Sequence, residues 1–308
     1  MSDNTEKIIG ADISFLPQLE EEGLKFYAYG VQKDAIQILK ENGFNYIRLR
    51  IFVNPEADSG YSKKGYCGLE QTKKMAKRIK AANMKFLLDF HYSDYWADGG
   101  KQYKPAAWKN LSFPDLVKQV HDYTKQVITE SQQQGTPPDM VQVGNEIRPG
   151  VIWPEGRFDH PDSLAALLKA GTAGVKEAAP NTIIMMHIDV GGDNAKSRQW
   201  LDAMISRGVK FDVIGESYYP YWHGTLDSLK RNLTDLSNRY DKDVIVAEYS
   251  KQKVAVNDIA FNLPRGKIKG TFIWEPLNYG EAIFDEKGES IDYLLNLYPE
   301  FAKKYDVK

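Results

Sequence analysis

Short runs rich in Ile, Val, Leu and Phe alternate along the chain with longer stretches in which apolar residues recur every three or four positions. The two periods, near 2 and near 3.6, predict strands alternating with amphipathic helices. Strands are expected at Ile8–Ser14, Tyr46–Phe52, Lys85–His91, Met140–Glu146, Ile183–Ile188, Val213–Tyr219, Val244–Tyr249 and Ile268–Trp274. Helices are expected between them. The first is VQKDAIQILKENGF, where Ile36 and Leu39 share a face and Asn42-Gly43 ends the element. LEQTKKMAKRIKAANM follows, with Met75, Ile79 and Ala82 on one side. PDLVKQVHDYTKQVITESQQQG, SLAALLKAGTAGVKEAA, AKSRQWLDAMISRG, LDSLKRNLTDLSNRY, VAVNDIAFNL and IDYLLNLYPEFAKKY complete the series.

Eight strand–helix units in 308 residues imply an α/β chain folded as one (β/α)8 barrel over residues 1–308. A doubly wound open sheet is the alternative. It would open with a Gly-rich turn after the first strand, and DISFLPQLEEEG contains none. No linker or low-complexity run divides the chain.

In a barrel, the C-terminal strand ends share one face, and active sites of this fold lie there. The expected strands are apolar where they begin and polar where they end. The ends supply Asp12 and Ser14; Arg48 and Arg50; Asp89, His91 and Asp94; Asn145 and Glu146; His187 and Asp189; Glu216, Tyr218 and Tyr219; Glu248; Trp274 and Glu275. Glu146 and Glu248 come from the fourth and seventh strands, which face each other across the axis of a barrel of eight. Glycoside hydrolysis needs such a pair: one carboxyl protonates the leaving oxygen, the other attacks or activates water. A separation of about 5–5.5 Å implies retention of configuration and about 6.5–9.5 Å inversion; sequence gives no distance. Glu275 competes with Glu248. Arg48 and Arg50 share a strand face, so one of them can serve a core carboxylate. Glu216 has the parity of Tyr218 and is read either as pointing into the barrel mouth or as a buried structural carboxylate.

Composition narrows the class. With 40 basic and 42 acidic residues the net charge is −2, which disfavours nucleic acid or an anionic membrane as partner. Aromatics make up 12%, which suits sugar-binding faces and cores alike. The single cysteine, Cys67, excludes an internal disulfide and a Cys-rich zinc site and reads as a small buried hydrophobe. No apolar run is long enough to span a membrane. MSDNTEKIIG lacks the apolar segment of a secretory signal, which is expected to have been removed. His91 and His187 could pair on a metal, but zinc would need a third ligand, so neither metal nor cofactor is expected. His121 and His160 read as surface residues and Trp200 as core.

Several stretches carry a family resemblance: GADISFLPQLEEEG, FNYIRLRIFVNP, DFHYSDYWADGGKQ, VQVGNEI, IGESYYPYWHG, VAEYS and FIWEP. Through them the chain resembles the family 53 glycoside hydrolases, the endo-β-1,4-galactanases, in a clan of retaining (β/α)8 glycosidases. The resemblance implies Glu146 as acid/base and Glu248 as nucleophile. Asn145 would bond the sugar 2-hydroxyl. Arg48, Asp89, His91, His187 and Tyr218 would orient and tune the carboxylates, and Trp96, Trp222 and Trp274 would offer faces to galactose rings. It implies β-1,4-galactan or galacto-oligosaccharides as substrate, a monomer, and an extracellular, cell-surface or periplasmic address. The same machinery on mannan or a glucan, a non-catalytic glycan-binding barrel, and a redox or phosphate-handling barrel are the alternatives. Gly99 stands where the family commonly has proline, which predicts a looser loop. Asp189-Val190 replaces the usual Asn-Gly, and the loop after Glu248 shows no dense Asp/Asn run for calcium.

Overall fold

The computed structural model describes residues 5–308; the first four residues of the expected domain and of its polar N-terminal stretch lie outside the described residues. Eight parallel strands close into a barrel: β1 (Glu6–Asp12), β2 (Tyr46–Ile51), β3 (Lys85–Phe90), β4 (Met140–Val143), β5 (Ile183–Ile188), β6 (Val213–Tyr218), β7 (Asp243–Tyr249) and β8 (Ile268–Trp274). Each pairs with its sequence neighbours, and β8 closes on β1 from Glu6↔Ile268 to Asp12↔Trp274. All eight expected strands are present, although several stop short of the expected C-terminal end. β4 ends at Val143 because Gly144 (φ +90°) and Glu146 (φ +49°) leave the extended region.

Helices fill the connections. The first starts later than the pattern suggests. Val31–Lys33 pairs with Phe26–Ala28 as a hairpin, and the Asp34 side chain then accepts from the backbone N–H groups of Ile36 and Gln37. That cap starts the helix at Ala35 and it ends at Glu41. Leu69–Ala81 buries Met75, Ala76 and Ile79, and Phe113–Gln133 buries Leu116, Val120, Val127 and Ile128, as their periods require.

The alternation along each strand builds two cores. On β2, Ile47, Leu49 and Ile51 join the layer between sheet and helices, while Tyr46 points into the barrel. The barrel interior is filled by Ile8, Tyr46, Leu87, Met140, Met185, Val213, Ile245 and Phe272. Each such burial contributes about 1.5–3 kcal/mol relative to exposure. Gly10 leaves the room for Phe272: a Cβ there would lie 2.2 Å from the ring. Above this apolar layer the inward positions turn polar, with Asp12, Arg48, Asp89, Gln142 and His187 all buried.

One irregularity matters for the site. Glu216 pairs with Val246 but Ser217 pairs with Glu248, so Ala247 is an extra residue in β7. Ala247 packs in the barrel interior, and the bulge turns the next residue, Glu248, to the interior as well. Without it, strict alternation would send Glu248 to the helix layer.

Cys67 is buried and free, and burial pushes its thiol up to about 11, which suits a packed hydrophobe rather than a nucleophile. Among the described residues no helix is long and apolar enough to cross a membrane.

Candidate active site

A cleft of about 850 Å³ opens at the C-terminal ends of the strands, lined among others by Arg48, His91, Trp96, Asn145, Glu146, Trp222, Glu248 and Trp274. Its centre is Arg48, completely surrounded by protein. Its Nη1 lies 2.7 Å from Glu248 Oε1 and 3.0 Å from Asp12 Oδ2. Nη2 reaches Asp89 Oδ2 at 2.9 Å and Asn145 Oδ1 at 2.8 Å, and Nε donates to Gln142 Oε1 at 3.1 Å. One guanidinium thus faces three carboxylates. Burial raises Asp89, but Arg48 and His91 outweigh it and hold Asp89 below the usual carboxylate range. Glu248 ends up raised: burial dominates, and the pull of Arg48 is offset in part by repulsion from Asp89 and Asp12. Tyr219 O–H donates to Glu248 Oε2 at 3.0 Å, so both oxygens of this carboxylate receive donors.

Glu146 follows β4 on a left-handed residue. Its Oε1 accepts from Ser217 Oγ at 2.7 Å and its Oε2 from Gly99 N–H at 3.2 Å. Burial first, then repulsion by Glu248 and Asp189, pushes its carboxyl up to about 8. Glu146, His187 and Glu248 present side-chain atoms all within 4.8 Å of one another. The pair therefore combines a carboxyl that holds its proton near neutral pH with a carboxylate held by a guanidinium, close together and open to a cleft. Such a pair can deliver a proton to one atom while attacking its neighbour. A metal would fit poorly, because His187 Nε2 is bound to Ser217 at 2.7 Å, its Nδ1 faces Gln142 at 3.0 Å, and Arg48 occupies Glu248. His91 Nε2 turns to Asp89 at 3.1 Å.

Most of the residues expected at the site come together here. Asn145 is oriented by Arg48 and by donating to Ala97 O at 2.8 Å. Trp96 lies face-on to the Arg50 guanidinium at 4.1 Å and edge-on to Trp274 at 6.0 Å. Trp222 projects from the cleft wall, 75% exposed.

Tyr218 does not belong to the group. It points outward into the helix layer and donates to Gly224 O at 3.1 Å; the phenol at Glu248 is that of Tyr219. Inward positions on β6 are Val213, Gly215, Ser217 and Tyr219, because Gly215 alone fits between Met185 and Ala247. Glu216 therefore also points outward, where Ser197 donates to its Oε1 at 2.7 Å; it is the buried structural carboxylate. Glu275 is buried behind the wall on Arg50, at 2.6 Å. The loop at Gly99 is tied rather than loose: Gly99 and Ala97 N–H groups bind Glu146 and His91, and Gln102 donates to Asn145 O at 2.8 Å. A Cβ on residue 99 would lie 2.1 Å from Asp189 Oδ2, and Arg148 holds Asp189 through two bonds at 2.8 and 3.1 Å. Gln142 and Ser217 are site residues absent from the sequence expectations, and Tyr219, expected only as a strand end, takes the place expected for Tyr218; counting inward parity along MVQV and GESYY finds all three.

The sequence profile of glycosyl hydrolase family 53 matches residues 8–267. The chain is 40% identical over 249 residues to a probable arabinogalactan endo-β-1,4-galactanase A of Aspergillus terreus, covering 78% of this chain and 69% of that protein. It is 38% identical over 253 residues to an endo-β-1,4-galactanase of Bacillus subtilis, covering 80% and 57%. The chain thus spans about two thirds, or less, of the length of these curated relatives. A solved fungal β-1,4-galactanase superposes with a TM-score of 0.86 at 29% identity, covering 95% of this chain and 98% of that one.

Proposed function

Because the chain belongs to glycosyl hydrolase family 53, we propose that it is a retaining endo-β-1,4-galactanase that cuts the galactan and type I arabinogalactan side chains of pectin. The observation that carries this reading is the pair Glu146 and Glu248, side by side at the cleft floor with only one of them held by a guanidinium.

Glu248 attacks the anomeric carbon. Its electron pair forms the new C–O bond as the glycosidic C–O bond breaks, and Glu146 gives its proton to the departing oxygen. The product is a galactosyl ester of Glu248. The ester carries no charge, so one of the repulsions that raise Glu146 is gone and the carboxylate left there can take a proton from water. That water attacks the same carbon from the vacated side, frees Glu248 and restores the configuration. Asn145, held between Arg48 and Ala97 O, is placed to bond the 2-hydroxyl. Trp96, Trp222 and Trp274 supply faces for sugar rings along the cleft. We infer an extracellular, cell-surface or periplasmic site of action, because a polysaccharide substrate does not cross a membrane unaided.

Product analysis on purified β-1,4-galactan, beside mannan and cellulose, tests the assignment. Short galacto-oligosaccharides from galactan alone are expected. Equal or faster release from mannan or cellulose would overturn the substrate. Glu146→Ala and Glu248→Ala should each abolish nearly all turnover while galactan binding persists; unchanged turnover in either would remove that residue from the mechanism.

A further inference from the structure

The hydrogen bonds behind Glu146 have a direction that can be worked out from the chemistry of their first member. Arg48 can only donate. Its Nε faces Gln142 Oε1 at 3.1 Å, which puts the Gln142 amide nitrogen on the other side, 2.6 Å from Asp89 Oδ1 and 3.0 Å from His187 Nδ1. The backbone N–H of Glu146 also points at Nδ1, at 3.4 Å. Two N–H donors converge on Nδ1, so it accepts, and the imidazole hydrogen sits on Nε2. The Gln142 amide has two hydrogens: Asp89 Oδ1 takes one, and His187 Nδ1, Asn145 Oδ1 at 3.1 Å and Gly144 O at 3.1 Å surround the other. Asn145 Oδ1 lies 3.0 Å from Nδ1 as well, but it already receives Arg48 Nη2 at 2.8 Å, and the Glu146 N–H is aimed at Nδ1 independently of the amide. His187 Nε2–H then donates to Ser217 Oγ at 2.7 Å, and the Ser217 hydroxyl passes its own hydrogen to Glu146 Oε1 at 2.7 Å.

We propose that Gln142, His187 and Ser217 form a hydrogen-bond chain of one polarity, running from Arg48 to Glu146, that keeps the transferable proton on Oε2 of the acid. This rests on the reading of Glu146 as acid/base. All three are completely buried positioning residues. The chain starts on the guanidinium that holds Glu248, so one arginine sets the orientation of both carboxyls. Gly99 N–H, 3.2 Å from Oε2, is compatible with this: a hydroxyl oxygen accepts that bond and still has its hydrogen for the cleft. When Glu146 later acts as base, Ser217 still donates to Oε1, and Oε2 is the oxygen free to take the proton from water. Burial and Arg48 hold His187 well below its ordinary range, so the ring stays neutral while Glu146 changes charge. The other charged or titratable groups facing Glu146 are Glu248 from β7, Tyr219 after β6, and Asp189 after β5 with its partner Arg148.

The direct test is a long-range ¹H–¹⁵N spectrum of the intact protein with His187 assigned. The expected result is a hydrogen on Nε2 and a bare Nδ1; a hydrogen on Nδ1 overturns the proposal. Kinetics give a second readout. The Ser217 hydrogen bond favours ionised Glu146, so Ser217→Ala raises its pKa. The alkaline limb of kcat/KM, expected near 8, should move up by about half a unit to one unit, and kcat on galactan should fall on the order of tenfold. Ser217→Thr should return the limb to its original position. A limb that stays put in Ser217→Ala overturns the proposal; should that variant fail to fold, the spectrum of the unaltered protein decides alone. Full turnover by Glu146→Gln would instead overturn the assignment of Glu146 as the acid, whatever the tautomer.

Discussion

Tyr218 and Tyr219 are adjacent in sequence and face opposite sides of the sheet, one toward Gly224 O and the other toward Glu248. Burial, Glu248 and Glu146 raise the Tyr219 phenol well above its ordinary value, so it remains a donor throughout the working range. Tyr219→Phe should cut kcat on galactan roughly tenfold or more, since a hydrogen bond to a charged group contributes about 1.5–3 kcal/mol. Tyr218→Phe should leave kcat near that of the parent, and steady-state kinetics on the two variants separates the assignments. Glu216 makes a stability prediction. Burial pushes its carboxyl from 4.5 up to about 8, and its Oε2 has no partner among the described residues. The folded-state pKa lies above the unfolded one, so the contribution is complete below about 4.5 and is lost as pH rises through about 8. Glu216→Gln should therefore raise Tm at pH 9 by a few degrees relative to the parent and do little at pH 4.5. Thermal melts at both pH values check this; an equal shift at both would contradict it.

At the scale of elements, the strands were legible because apolar runs of five to seven residues recur between amphipathic stretches, and all eight lie where that pattern puts them. The faces of their last residues were less legible. On β6 a glycine occupies an inward position, so the inward series Val213, Gly215, Ser217, Tyr219 looks less purposeful than the outward Glu216 and Tyr218. On β7 the extra residue Ala247 leaves no mark in the composition; it shows only in the pairing with β6 and β8, where the register shifts on both sides. Position at a strand end and the VAEYS motif both single out Glu248, but simple alternation from Ile245 would point it outward, and it is the bulge that turns it in. The start of the helix at Ala35 depended on one Asp cap overriding an apolar period that continues upstream. Packing inside the barrel gives a further expectation. Gly10→Ala would force a methyl against Phe272 and should destabilise the fold by about 1–3 kcal/mol in urea unfolding. An unchanged midpoint would mean that the ring can move aside.

For the molecule as a whole, the barrel gathers groups from distant parts of the sequence: Arg48 and Gln142 are 94 positions apart, and Phe15 and Glu275 are 260. The site was legible where a strand end carried a residue that chemistry makes conspicuous, as with Glu146, Glu248, Arg48 and His187. Gln142 and Ser217 escaped because an amide and a hydroxyl look ordinary until their neighbours are known. The wall of the cleft adds an exposed aromatic, Trp222, to the buried catalytic floor. Trp222→Ala should raise KM for polymeric galactan several-fold with little change in kcat, because in the proposed function its exposed ring would stack on a sugar away from the bond that breaks. A kcat loss at unchanged KM would place it at the reacting centre instead.

The central claim is that Glu146 and Glu248 serve one glycosidic bond through a covalent intermediate. Proton NMR in the first moments of galactan cleavage, before mutarotation, tests it most directly. Newly formed reducing ends should be β-anomers; α-anomers appearing first would contradict the double displacement and require a water between the two carboxyls.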